Sequence, residues 1–101
     1  MAYYASHDER SRLIDGLRAV AQFLRDHPDI PAPRWADVLV FPPDGLDEEK
    51  RAEIDVIAAR IGAEASESAG GHYSCSVSFG PVEYRAVAIP GNPAAGKQDG
   101  E

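Results

Sequence analysis

The feature that most constrains this chain is a strict alternation from His72 to Phe79. Tyr73, Cys75, Val77 and Phe79 are set against His72, Ser74, Ser76 and Ser78. An extended strand places successive side chains on opposite faces, so a period of two marks a half-buried strand. Gly80-Pro81 follows, and Val82 to Ile89 returns. Glycine at the first of two central positions suits a type II′ turn. A two-residue turn also sets the register. It pairs Phe79 with Val82, Val77 with Tyr84, Cys75 with Ala86 and Tyr73 with Ala88, all on one face. The other face pairs Ser78 with Glu83, Ser76 with Arg85, Ser74 with Val87 and His72 with Ile89. The first of these two faces is expected to be covered by helices.

Two helices are available to cover it. The first is predicted over Asp8 to Asp26. Ser6 and Glu9 have the spacing of a capping box, and Asp8 and Glu9 suit the positive end of the helix dipole. Leu13, Leu17, Val20 and Leu24 recur at helical spacing, widened by Ile14, Ala21 and Phe23. His27-Pro28 ends it, because the residue before a proline avoids the α region. The second helix is predicted from Asp47 to Ile61, with Leu46, Ile54, Ile57, Ala58 and Ile61 as its apolar stripe. Gly62 stands where a C-terminal cap belongs.

Between the helices, Pro28, Pro31 and Pro33 hold the chain extended. Trp35 is expected to anchor this linker to the core. Val38-Leu39-Val40-Phe41 is apolar on both faces and reads as a central, covered strand. Pro42-Pro43-Asp44-Gly45 turns the chain out of it. Ala63 to Ser68 is a weak strand, and Ala69-Gly70-Gly71 a turn. The expected fold is therefore α+β, a two-layer sandwich ordered α-β-α-β-β-β. Two helices lie on one face of a mostly antiparallel sheet. Residues 1–90 form a single domain, and 91–101 is read as a disordered tail, being rich in Gly, Pro and Ala without periodicity.

Composition excludes some functions. The net charge is −7, whereas a nucleic-acid binder usually shows a basic patch. Arg10, Arg12, Arg18 and Arg25 are spread among acids along one helix, so direct DNA or RNA binding is not expected. No run of about 18 apolar residues exists to span a membrane. The N-terminus, Met1-Ala2-Tyr3-Tyr4-Ala5, lacks the basic and apolar regions of a signal peptide. One cysteine allows no internal disulfide, which fits a reducing, cytoplasmic setting.

Candidate chemistry is thin. His7, His27 and His72 share no element at metal-ligand spacing, so no metal is expected, and no cofactor either. Cys75 sits on the inward face, where a thiol is inert. No nucleophile elbow surrounds Ser66, Ser68, Ser74, Ser76 or Ser78. Gly70-Gly71 precedes a strand rather than a helix, so it makes no phosphate loop. Asp44, Asp47, Glu48, Glu49, Glu53 and Asp55 gather around the second helix. They read either as a solvated face or as a surface imitating DNA. The most suggestive feature is the far end of the outer sheet face. There Val87, Ile89 and alternate residues of the 38–41 strand stand beside His72, Ser74 and Arg85. This strip is either a protein contact or is covered internally by Tyr3, Tyr4 or Trp35.

Three phrases carry a resemblance: Leu13-Ile14-Asp15-Gly16-Leu17-Arg18-Ala19-Val20-Ala21-Gln22-Phe23-Leu24, then His27-Pro28-Asp29-Ile30-Pro31, and Phe79-Gly80-Pro81-Val82-Glu83-Tyr84-Arg85-Ala86-Val87-Ala88. They resemble small proteins encoded by actinobacterial phages and integrative elements, over roughly residues 10 to 90. The resemblance implies a mobile-element context and brings no catalytic residue with it. The expected function is a non-enzymatic, protein-binding accessory factor, its contact residues Val87, Ile89, His72, Ser74 and Arg85. The partner is another protein or a second copy. The alternatives are an acidic inhibitor of a DNA-binding protein, through Asp47, Glu48, Glu49 and Glu53, and an enzyme of unrecognised type joining His72, Tyr84 and an acid.

Overall fold

The computed structural model describes residues 4–91. The elements are α1 (His7–Asp26), β1 (Ala36–Val40), α2 (Asp47–Ile61), β2 (Ser66–Glu67), β3 (Tyr73–Phe79) and β4 (Val82–Ala88). The class and element order are those expected. The chain divides into two units at Arg34 and Trp35, and each is described by itself. The tail expected to be disordered lies, from residue 92 onward, outside the described residues.

In the first unit the capping box of α1 is complete. Ser6 Oγ accepts from the Glu9 N–H at 3.2 Å, and the Glu9 carboxylate accepts from the Ser6 N–H at 2.8 Å. The backbone bond from Ser6 holds the Glu9 carboxyl below its ordinary value. At the other end the His27 N–H donates to the Phe23 carbonyl at 3.0 Å, and the imidazole stacks on the Phe23 ring at 4.7 Å. No residue of α1 is buried. Its apolar stripe exists at the expected spacing, yet Leu13, Ile14, Leu17, Val20 and Phe23 are all exposed.

The second unit is a four-stranded sheet in the order β1-β4-β3-β2. The β3–β4 hairpin has the expected register at every pair, from Phe79–Val82 to Tyr73–Ala88. Gly80 adopts φ 63°, the positive value that the first position of a type II′ turn requires. β2 shrinks to two residues beside β3, paired antiparallel. β1 differs from expectation in two ways. It is an edge strand rather than a central one, and it runs parallel to β4, with Val38 opposite Tyr84 and Val40 opposite Ala86. The sheet is therefore mixed rather than mostly antiparallel. The reason is topological. β3 takes one edge of β4 through the hairpin, which leaves the other edge for β1. The chain between β1 and β4 contains α2, and a crossover of this kind is what parallel strands need.

One face of the sheet carries the core. Ile54 and Ala58 of α2 meet Cys75, Ala86 and Ala88, ringed by Val40, Ile57, Ile61, Ala65 and Tyr73. Ile54 is fully buried, at 0% exposure. Small residues opposite it let the helix approach the strands closely. Gly62 ends α2 with φ 70°, and its N–H bonds to the Ala58 carbonyl. An L side chain adopts this left-handed conformation only at a cost, so glycine is the natural occupant. The helix reaches only part of the hairpin, since Phe79 is exposed. Trp35 does not anchor the linker to the core as expected. It is 66% exposed, having the parity of Asp37 and Leu39, which lie on the side of the sheet away from α2.

Candidate functional site

The parallel register assigns β1 side chains to faces. Val38 and Val40 share the α2 side with Tyr84 and Ala86. Asp37 and Leu39 therefore share the opposite side with Glu83 and Arg85, and with Ser74, Ser76 and Ser78 through the β3 pairing. Among the described residues of this unit α2 is the only helix, and it packs on the other face.

The outer face has a polar end and an apolar end. At the polar end Arg85 donates to the Glu83 carboxylate at 2.8 Å and to Ser74 Oγ at 3.5 Å, and Ser78 Oγ lies 3.5 Å from the other Glu83 oxygen. The Arg85 hydrogen bond holds Glu83 below the usual carboxylate value. Partial burial opposes this, and the Ser76 and Ser78 hydroxyls assist it. These bonds set the geometry of the pair. Trp35, Asp37, Ser78, Gly80, Pro81, Glu83 and Arg85 line an open hollow of about 420 Å³ beside it.

The apolar end is Leu39, 49% exposed, with Ile89 at 46% and Phe41, just past β1, also exposed. Val87 was expected to belong to this contact strip. It lies on that face by register but is only 7% exposed. Val87 therefore offers little accessible surface to a partner. Ser74 and Arg85 are half-buried and His72 is exposed. His72 is tied by its backbone, which closes a turn with Ser68 through bonds of 2.8 and 3.3 Å. Of the residues expected as a cover for the strip, Trp35 is too exposed to serve, Tyr3 lies outside the described residues, and Tyr4 belongs to the other unit. Leu39 and Asp37 were the residues sequence reasoning undervalued, because their membership depends on which strand β1 joins, whereas Glu83 belongs to this face by the hairpin register alone.

The acidic group near α2 is partly engaged in local structure. Asp47 accepts from the Gly91 N–H at 3.0 Å and faces Lys50 at 3.5 Å. The Gly91 bond is the main cause that lowers its pKa. Glu49 accepts from the Leu46 N–H at 3.0 Å at the start of the helix. Glu48 is exposed and Glu53 half-buried. Lys50 reaches past them to the Ile89 carbonyl at 2.7 Å, tying the end of β4 to the helix.

A second polar cluster, not legible in sequence, sits on the α2 side. The Tyr73 hydroxyl donates to Asp55 at 2.5 Å, while Arg51 lies 4.8 Å over the Tyr73 ring and bridges to Glu67 at 2.8 Å. The Asp55 bond, with burial second, pushes the Tyr73 phenol above its ordinary value, so this hydroxyl stays a donor. Cys75 is buried beside the Ile54 carbonyl, with its sulfur 3.8 Å away, and burial pushes its thiol up. The constellation of His72, Tyr84 and an acid is not assembled. Tyr84 faces the α2 side with Val77, while His72 precedes β3 with the parity of the other face. Among the described residues no group of three or more His, Cys, Asp or Glu could hold a metal ion, and no helix is long and apolar enough to cross a membrane.

Comparison with protein-family models, with curated proteins and with solved structures finds no match.

Proposed function

We propose that this chain is a non-enzymatic protein-binding factor of a phage or other mobile element, docking through the sheet face opposite α2. One observation carries the reading. Exposed Leu39 stands opposite Arg85 of the Arg85–Glu83 pair, with exposed Phe41 and Ile89 just beyond the ends of β1 and β4, on the face away from the unit's own helix. An apolar contact bordered by polar groups with set geometry is the usual anatomy of a protein interface. Charge says what the partner is like. Residues 1–34 hold five acids and five arginines, whereas residues 35–101 hold twelve acids and five bases. The whole −7 belongs to the sheet unit. The partner that fits presents an apolar side chain among basic residues. The same asymmetry favours a second reading, an acidic inhibitor that occupies the nucleic-acid site of a basic protein. Its weak point is that Asp47 and Glu49 already serve local hydrogen bonds.

The test is comparative capture from host lysate. A protein retained by wild type is expected to be lost with Leu39→Glu and kept with Val56→Glu, which alters an exposed position on α2. Far-UV circular dichroism checks that both variants are folded. Equal retention by wild type and Leu39→Glu would refute docking at this face. Salt separates the two readings. Binding that rests on exposed charge alone is lost between low and high ionic strength, whereas binding anchored on apolar side chains is weakened but retained.

A further inference from the structure

The helical unit carries an apolar surface that the sheet face does not explain. Leu13, Leu17, Val20 and Leu24 follow a 4-3-4 spacing, which is the d-a-d-a pattern of two facing helices. Leu13, Leu17 and Val20 are exposed, Val20 at 57%, and Leu24 is half-buried. Exposed Ile14 and Phe23 stand on either side of the row. Monomeric proteins rarely leave a continuous apolar stripe of this length in water.

Charge indicates the occupant. The unit is neutral, with five acids and five arginines, so two copies of it approach without net repulsion. The charges are also unevenly placed. Residues 7–16 carry Asp8, Glu9 and Asp15 against Arg10 and Arg12, a net −1. Residues 17–26 carry Arg18 and Arg25 against Asp26, a net +1. An antiparallel pair sets each negative half beside a positive one and opposes the two helix dipoles favourably. The row then meets itself, with Leu13 near Leu24 of the other copy and Leu17 near its Val20. Four seam layers are few for a coiled coil, and Ile14 and Phe23 widen the contact on both sides.

We propose that α1 is a self-association seam, pairing antiparallel with α1 of a second copy of this chain. The surface is distinct from the docking face above, so the two readings fail separately. The experiment is sedimentation equilibrium over a concentration series on the full chain. Wild type is expected at twice the chain mass with a micromolar constant. Val20→Glu places two carboxylates in the seam and is expected to weaken the dimer roughly a hundredfold or more. Ala19→Glu, off the row, is expected to leave it intact. Glutamate is a good helix former, so both helices should persist, and circular dichroism verifies this. A wild-type monomer at every concentration overturns the proposal. So does a dimer that survives Val20→Glu, or one lost equally in a fully helical Ala19→Glu. Orientation is read by oxidising a mixture of Leu13→Cys and Leu24→Cys. The mixed disulfide is expected, and exclusive homodisulfides would overturn the antiparallel arrangement.

Discussion

Replacing Ile54 by alanine tests the core directly. Ile54 is the one large side chain in the described residues that is fully buried, and it sits against Ala58, Cys75, Ala86 and Ala88. Removing three carbons from a buried isoleucine costs about 2–5 kcal/mol, depending on how far the site collapses. Collapse is difficult here. The buried neighbours Ala58, Cys75, Ala86 and Ala88 are already small, with little side chain to turn into the space. They sit on paired strands and on a helix that cannot shift alone. The upper half of the range, about 3–5 kcal/mol, is therefore expected. A sheet unit of roughly 60 residues has about 3–9 kcal/mol of stability in total. The variant is thus expected to be marginal or unfolded at 25 °C. Urea titration followed by far-UV circular dichroism measures it, the signal of α1 being treated as a separate baseline. Loss of a midpoint altogether, or a large downward shift at constant slope, is the expected result. A loss below about 1 kcal/mol would mean that the α2–sheet layer is not the core.

Two further outcomes follow from the same geometry. Gly62→Ala forces a side chain into the left-handed cap at φ 70°, with nothing within 4 Å to clash. The cost is pure backbone strain, about 1–2 kcal/mol, and a thermal midpoint unchanged from wild type would refute it. Tyr73 titrates above the ordinary tyrosine value because it donates to Asp55. A group whose pKa is raised by folding contributes stability that is present below its unfolded value, near 10. That contribution is lost as pH climbs through the folded value. Asp55→Asn is expected to bring the phenol back down, read by ultraviolet difference titration against Tyr73→Phe. An unmoved titration curve would show that the hydroxyl has another partner.

What was readable in the sequence is what local chemistry decides. The hairpin register follows from a period of two and a two-residue turn, and both lie within eighteen consecutive residues. The helix limits follow from Ser6 and Glu9 at one end of α1, His27-Pro28 at the other, and Gly62 after α2. Inert Cys75 follows from its parity in β3. Each signal acts over a few residues, so no knowledge of the rest of the chain is needed. Strand β1 is the contrary case. Four apolar residues in a row say strand, but not which neighbour, which direction or which edge. The prolines on both sides of it, at 33 and 42, were the available hint, since proline favours the margins of sheets.

The candidate site inherits that uncertainty from β1. Arg85 and the serines were placed on the outer face by hairpin parity alone. Leu39 and Asp37 joined them only because β1 lies parallel to β4, and Trp35 followed them outward instead of inward. Val87 shows the same limit in reverse. Its face was legible, but its burial depends on neighbours that only the folded sheet supplies. The stripe of α1 was legible as a stripe, and its exposure was not, because periodicity says that a face is apolar and never what covers it. Sequence by itself determined the elements, the hairpin and the inward face of the sheet, through interactions between near neighbours in the chain. Tertiary structure alone decided the place of β1 and the make-up of the open face, because pairing between distant segments is chosen by the free edges and surfaces that remain after local structure has formed.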